Sequence, residues 1–259
     1  MYHRNVACTP PANESVRIWR YMTFTKFMSL VDRAALYFAR VDRLGDPFEG
    51  SYARKNLSGD LRPEEMIQSY ESIEPGSKWV GSAPMTPEHR AWSFNYGQRS
   101  TFANCWHMND YESAAMWSVY SRSGEGIAIQ STYQRLRDSF TSPDHNQDVT
   151  IGTVKYIDYD RETVPESSVL YPYLHKRKSF EYEHELRALL IDTLTAPPAP
   201  GKYIDVTLSS LIEAVYVSPR SSDWFTDLVR SMVAGMAARH NFGRDVPVIN
   251  SRLDEAALH

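Results

Sequence analysis

The period of the apolar positions changes several times along the chain, and each change marks an element. Val16 to Tyr21 alternates apolar and polar side chains, the two-residue period of a half-buried strand. Phe24, Phe27, Met28 and Val31 then recur at helical spacing behind Thr23 or Thr25 as N-cap, and Leu36–Ala39 reads as a buried strand. The chain therefore opens strand–helix–strand. Further on, Phe102–Trp106 predicts another buried strand. Asn109 offers an N-cap, with Glu112 closing a capping box, for a helix that runs to about Ser121 and ends at a left-handed Gly124. Gly126–Gln130 predicts the next strand, followed by a helix near 132–140, a strand over Val149–Tyr159, a helix over Tyr171–Lys178, and strands at Glu185–Asp192 and Lys202–Val206. The last third alternates strand, helix, strand at Ala214–Val217, about 222–239 (capped by Ser222 or Asp223) and Val246–Ile249. Phe225, Leu228, Val229, Met232, Val233 and Met236 form the apolar stripe of that helix, which is a core face.

Helices alternating with strands around a strand-rich middle predict an α+β fold: a mixed, largely antiparallel sheet flanked by helices, in one domain over residues 16–250. Residues 1–15, with Pro10 and Pro11, read as an exposed tail, and 251–259 as a second. The stretch 43–60 is turn-rich, and 61–100, with Pro63, Pro75, Pro84 and Pro87, reads as a surface insertion carrying a helix near 63–72. The composition suits this picture. A chain of 259 residues with 42% hydrophobic and 12% aromatic content can bury a core without staples and lacks the signature of disorder.

Charge and cysteine content narrow the function classes. With 28 basic against 32 acidic residues the formal net charge is −4, which excludes a bulk basic nucleic-acid surface. The one basic run, His175–Lys178, reads as a solvated helix end whose cations complement the dipole, or as a local phosphate contact. Cys8 and Cys105 stand far apart with no zinc spacing, as expected of a reducing compartment. The N-terminus lacks the apolar run of a signal peptide, and no stretch is long enough to span a bilayer, so a cytoplasmic protein without a membrane partner is expected. Walker, dinucleotide-fingerprint, nucleophile-elbow and zincin motifs are all missing from the sequence.

Four segments combine polar groups with structural punctuation: Asp46-Pro47-Phe48-Glu49-Gly50, Asn104-Cys105-Trp106-His107, Met116-Trp117-Ser118-Val119-Tyr120-Ser121, and Phe180-Glu181-Tyr182-Glu183-His184-Glu185-Leu186-Arg187. Taken together and in this order, they resemble the bacterial family called domain of unknown function 2971, over about residues 18 to 235. Gly45 stands where that family usually has Asn, Trp106-His107 replaces a common Phe-Ser, and Phe180 replaces Trp. The resemblance implies a fold more than a reaction.

The last segment is the sharpest chemical clue. On an extended strand Glu183, Glu185 and Arg187 would share one face. Two close carboxylates repel, which raises the pKa of one, and Arg187 could restrain the other as an ion pair. The plain structural alternative is a solvated strand face. This late Glu-x-Glu resembles the arrangement in ADP-ribosyltransferases. That resemblance implies NAD as co-substrate, a macromolecular or small-molecule acceptor in a toxin or phage-defence setting, Glu185 on the ribose hydroxyl and Glu183 orienting the acceptor. It further implies a cofactor-binding group of Arg20, Tyr21, Tyr37 (or Phe38 in its place) and Arg187. His107 with Tyr120 or Ser118 could act as general acid or base, whereas Cys105 reads as an inert buried thiol.

Two other readings stand beside it. Asp46 and Glu49, with Asp42 nearby, could join Glu183 and Glu185 as oxygen ligands to a divalent cation in a nuclease or phosphoesterase; as structure, Pro47 suits a turn, Phe48 an anchor and Gly50 a positive φ. Alternatively, the segments are architecture in a non-catalytic binding or regulatory module.

Overall fold

A computed structural model describes residues 1–57, 87–120, 124–140, 148–192 and 199–253. It is a single α+β domain built on a mixed, mostly antiparallel sheet, as the sequence leads one to expect. The chain opens with β1 (Arg17–Thr23), α1 (Phe24–Arg33) and β2 (Ala35–Arg40). Thr23 caps α1 by accepting from the Lys26 amide, and Phe27, Leu30 and Val31 bury its apolar face. A short α2 (Arg54–Leu57) and α3 (Pro87–Ser100) precede β3 (Thr101–Met108) and α4 (Ala114–Tyr120). Then come β4 (Gly126–Thr132), α5 (Tyr133–Ser139), β5 (Thr150–Thr153), β6 (Lys155–Ile157), β7 (His175–Arg177) and β8 (Glu185–Ile191). The chain ends with β9 (Gly201–Asp205), α6 (Leu208–Leu211), β10 (Ala214–Val217), α7 (Asp223–Arg239) and β11 (Val248–Asn250).

The sheet order is β11-β10-β4-β1-β3-β2-β9, with β8 on β3 and β5 on β8; β6 and β7 form a separate parallel pair. One feature of this order positions the candidate site. Strand β8 pairs with β3 along its whole length, from Thr101↔Ile191 to His107↔Glu185, and so fills one edge of β3. The other edge is shared. β1 holds only its end, at Ile18↔Met108 and Trp19↔His107, and β2 only its start, at Ala39↔Ala103 and Arg40↔Phe102. Between these two contacts, beside Asn104–Trp106, both strands peel away from β3 and α1 bridges the gap. The sheet is split there, and the split is a cleft.

The largest apolar core packs α1, α5, α6 and α7 onto one side of the sheet, through Phe27, Leu30, Leu136, Leu211, Phe225 and Val233. A second cluster, including Tyr171, Tyr173, Leu174 and Leu189, covers the β5–β8 region from the other side. In α7 the expected stripe is buried at Phe225, Val229, Val233 and Met236, while Leu228 is left exposed.

Several local expectations are corrected. Residues 1–15 are not a free tail: the His3 amide donates to the Val149 carbonyl, the Thr153 amide donates to Thr9, and Ala7 and Cys8 are buried. The Asn109 capping box does not form. The helix begins at Ala114 and Glu112 instead accepts from the Trp117 indole. Val149–Tyr159 is two short strands, β5 and β6. Tyr171–Lys178 is not one helix but a single 3-10 turn (Tyr171–Tyr173) followed by β7. The helix placed near 63–72 lies outside the described residues, while the 87–100 part of the supposed insertion is α3, which leads directly into β3.

Gly50 has φ +75°, and a Cβ there would collide with the Tyr173 ring; Gly45 has φ +91° but nothing within 4 Å of such a Cβ. Both positions demand the left-handed region, where a side chain costs about 1–2 kcal/mol. Gly50→Ala adds a steric clash to that cost, so it is expected to destabilise the protein by more than Gly45→Ala, as read from urea midpoints at constant m. Equal losses would show that the Tyr173 ring yields freely.

Candidate functional site

The turn after β2 starts the site. The Asp46 side chain accepts from the Phe48 amide, the Glu49 amide donates to the Asp46 carbonyl, and the Ser51 amide donates to that of Phe48. Arg177 ties this turn down, donating to Asp46 at 2.6 Å with its guanidinium over the rings of Phe48 and Phe180. The result is that Glu49, four residues from a surface turn's start, is only 2% exposed.

Arg187, on β8, is fully buried and meets Glu49 there. Its Nη1 and Nη2 donate to the two Glu49 oxygens at 2.7 and 2.8 Å. Its Nε and Nη2 also donate to the two Glu185 oxygens at 3.0 and 2.9 Å, and Nη1 donates to the Tyr173 carbonyl at 2.8 Å. Every N–H of the guanidinium is thereby used, in two bidentate pairs and one backbone bond. Lys176, on β7, extends the cluster: its Nζ lies 2.5 Å from Glu183, 3.4 Å from Glu185 and 3.5 Å from Glu49. Three carboxyl groups thus face two cations.

The two glutamates of the late segment are electrostatically unlike. Burial raises the Glu185 pKa, but Arg187 and Lys176 more than reverse this and hold it at about 2. Glu183 goes the other way, because burial raises its pKa and the Lys176 ammonium offsets only part of the rise. It is not on the strand. It ends a 3-10 turn (Lys178–Glu183), and a left-handed His184 separates it from β8, so the expected shared strand face holds for Glu185 and Arg187 only. Glu183 reaches the same cluster from the turn.

This cluster forms one wall of a cavity of about 610 Å³ that occupies the split in the sheet. Adjacent residues of β1 (Arg20 and Tyr21) and of β2 (Leu36 and Tyr37) line it together, as expected where strand edges rather than strand faces are exposed. Arg20 takes the place of the missing strand partner: its Nη1 donates to the Cys105 carbonyl at 2.6 Å, and its guanidinium lies 6.0 Å from the Trp106 ring. Among the described residues it has no carboxylate partner. Burial lowers its pKa, without removing its charge. Lys26 and Arg43 line the same cavity.

His107 lines it as well, beside Glu183. Its Nδ1 lies 2.6 Å from the Glu183 carbonyl, which can only accept, so Nδ1 carries the proton and Nε2 is left as an acceptor. The ring is 2% exposed, and Nε2 has no hydrogen-bond partner among the described residues. Burial lowers the His107 pKa, against the pull of that carbonyl, which favours the neutral ring.

The structure therefore brings together Arg20, Tyr21, Tyr37, Glu49, His107, Tyr120, Glu183, Glu185 and Arg187 around one space, along with Cys105. Their roles differ from the expected ones. Tyr21 is committed to the wall, its hydroxyl accepting from the Ser113 amide, and Phe38 is core. Tyr37 and Tyr120 are partly exposed at the rim. Ser118 bonds its own helix at Ala115. Arg187 is saturated and cannot bind a ligand. Cys105 has a strongly raised pKa, through burial first and Glu185 second, so no thiolate nucleophile is available there.

The carboxylates of the metal alternative have other partners. Asp42 pairs with Arg40 and Asp46 with Arg177, away from the cluster. Glu49, Glu183 and Glu185 do converge on a point, but the Lys176 ammonium sits at it. Among the described residues no group of three or more His, Cys, Asp or Glu is arranged to hold a metal ion. Lys176 is also a residue the sequence does not single out: its basic run reads as a solvated helix end or a local phosphate contact, yet His175 and Lys176 are buried. No helix among the described residues is long and apolar enough to cross a membrane.

In comparisons with known proteins, no family model and no curated relative matches the chain.

Proposed function

We propose that the chain is an ADP-ribosyltransferase-like enzyme that takes NAD into the split-sheet cavity and passes its ADP-ribosyl group to an acceptor. The observation that carries this reading is the meeting of opposite chemistries in one cavity: Arg20, a guanidinium with no ion-pair partner among the described residues, and the glutamates held by Lys176 and Arg187. A volume of about 610 Å³ suits a ligand of dinucleotide type, since ligand cavities run to roughly 300–1,000 Å³. Arg20 has N–H groups left over after its one bond to Cys105, and a guanidinium fork matches phosphate oxygens. All four segments of the unknown-function family resemblance contribute a residue to this cavity (Glu49; Cys105, Trp106 and His107; Met116 and Tyr120; Glu183, Glu185 and Arg187), so membership of that family is part of the same proposal.

Bound NAD supplies a glycosidic bond whose cleavage leaves positive charge on the ribose. The chain's part is electrostatic. Glu183 and Glu185 present carboxylates where that positive charge develops. Glu185, held low in pKa by its two cations, stays ionised; Glu183, less tightly held, is the carboxylate free to meet the ligand.

Calorimetric titration tests the reading. NAD is expected to give saturable heat with the wild type, and Arg20→Gln to weaken binding about tenfold or more, the worth of charge-assisted hydrogen bonds of roughly 1.5–3 kcal/mol. An absence of heat with both NAD and ADP-ribose overturns the proposal.

A further inference from the structure

The outer lip of the cavity carries a pattern that the chemistry of its interior does not use. Tyr37 on β2 and Tyr203 on β9 are register partners, so both rings stand on one face of the sheet while Leu36, Phe38 and Ile204 fill the core behind them. The two rings meet edge to face, with centroids 5.1 Å apart, and stay 39% and 42% exposed. Helix α1 borders them. Lys26, Ser29 and Arg33 recur there at helical spacing on one side: the Ser29 hydroxyl lies 3.0 Å from that of Tyr203, and the Arg33 guanidinium lies 4.4 Å from the centre of its ring. Lys26 and Arg43 line the cavity beside the two tyrosines.

Charge at this lip is one-sided. Lys26, Arg33 and Arg43 are exposed, and none has an ion-pair partner among the described residues. Nearby carboxylates are engaged or outnumbered: Asp32 pairs with Arg239, Asp42 pairs with Arg40, and Asp205 is the one carboxylate of β9 on the face of Tyr203. In a chain of net charge −4, three such cations around two open aromatic rings are a local exception. Cations track phosphates, and open rings stack bases without regard to sequence. The guanidinium on Tyr203 adds a second stacking plane of the same kind. An acidic protein segment would use the cations and leave the rings idle, whereas a duplex keeps its bases stacked on one another.

We infer that this lip docks single-stranded nucleic acid and that the docked strand is the acceptor. The acceptor role rests on the transferase reading; the docking does not. In the transfer, a nucleophilic nitrogen or oxygen of the strand bonds to the ribose C1′ as the C1′–N bond breaks. Nicotinamide leaves as the neutral amide with that electron pair, and the proton of the nucleophile passes to Glu183.

Fluorescence anisotropy with a labelled oligonucleotide of about 12 nucleotides, within the range of known single-strand sites, tests the docking on the full chain. The arms are single-stranded DNA, RNA and duplex DNA, against the wild type, Tyr203→Ala and Arg33→Gln, with NAD titrated separately. A single strand is expected to bind at least about tenfold more tightly than the duplex, because only its bases are open to stacking. Its association constant should fall with salt with a log–log slope of about −2, at about −0.7 per phosphate contact. Tyr203→Ala should weaken binding at least about fivefold, the low end of the worth of one stacked base. Arg33→Gln should weaken it and flatten the slope by about 0.7. Such binding by either single strand supports the docking, and the tighter of the two names the sugar. Equal binding of single strand and duplex overturns it, as do variants that bind like the wild type. Equal competition by polyglutamate overturns it in favour of an acidic protein partner. Adenylate-labelled NAD then reads the acceptor role: label is expected on the strand, and label found only on protein or in free ADP-ribose overturns that role. Absence of oligonucleotide binding beside saturable NAD binding overturns the docking and leaves the transferase reading standing. Oligonucleotide binding without NAD binding does the reverse.

Discussion

Arg187→Met is expected to destabilise the domain by about 3–5 kcal/mol at neutral pH, the cost of breaking a buried ion pair from one side. The side chain has no exposure, and the substitution would leave Glu49 and Glu185 facing each other in the interior with only Lys176 between them. It also orphans the Tyr173 carbonyl. For a chain whose total stability is on the order of 5–15 kcal/mol, this is a large share. Urea unfolding of the wild type and variant, compared at constant m, measures it. A loss below about 1 kcal/mol would mean that the five-donor network is not what holds the β8 turn region together.

The pH dependence of the same pair separates charge from packing. In the wild type Glu185 has a folded pKa of about 2, below its usual value of 4.5. A depressed carboxyl contributes stability that is complete above the unfolded pKa and is lost as pH falls through the folded one. Wild-type stability from this group should therefore fall between about pH 4.5 and 2. In Arg187→Met the largest remaining influence on Glu185 is burial, which raises its pKa. The folded state then binds the proton more readily than the unfolded state, and the gap between variant and wild type should narrow as pH drops below about 5. A gap that stays constant across that range would assign the loss to packing around the longer side chain.

Much of this site was legible as segments and little of it as geometry. Strand and helix periods located β1, α1, β2, β3, β4, β10 and α7 to within a residue or two, because each is either a one-sided apolar pattern (α1, α7) or a short apolar run bounded by turn or cap residues that tertiary packing buries. The pairing of Glu185 with Arg187 followed from their i, i+2 spacing. Glu49 was visible as a turn carboxylate, but its destination was not, since burial of a carboxylate depends on a partner 138 residues away. Lys176 was hidden for a related reason. A His-Lys-Arg-Lys run has the composition of a solvated helix end, and only the three glutamates brought by other segments make it an interior strand. The sheet split has no local signature at all. It arises because β1 and β2 each compete for one edge of β3 and each holds only an end of it.

The division of labour between the two glutamates yields the other large effect. Under the transferase reading, Glu183→Gln is expected to lower the rate of NAD consumption at saturating substrate by about 100-fold or more, the range for removing one group aimed at developing charge. Structure and ADP-ribose affinity should stay close to wild type, because the Glu183 carboxylate makes one described ion pair, to Lys176, and lies at the cavity wall. Glu185→Gln should behave differently. That carboxylate accepts from Arg187 through both oxygens and is 6% exposed, so its loss unsettles the buried network and lowers stability as well as turnover. Measuring kcat, KM and the urea midpoint for both variants distinguishes the roles. Glu183→Gln should move kcat with the midpoint unchanged, and Glu185→Gln should move both. If Glu183→Gln leaves kcat within a fewfold of wild type while Glu185→Gln abolishes it in a fully folded protein, the reacting carboxylate is Glu185. The Lys176–Glu183 pair is then only the support that keeps it in place.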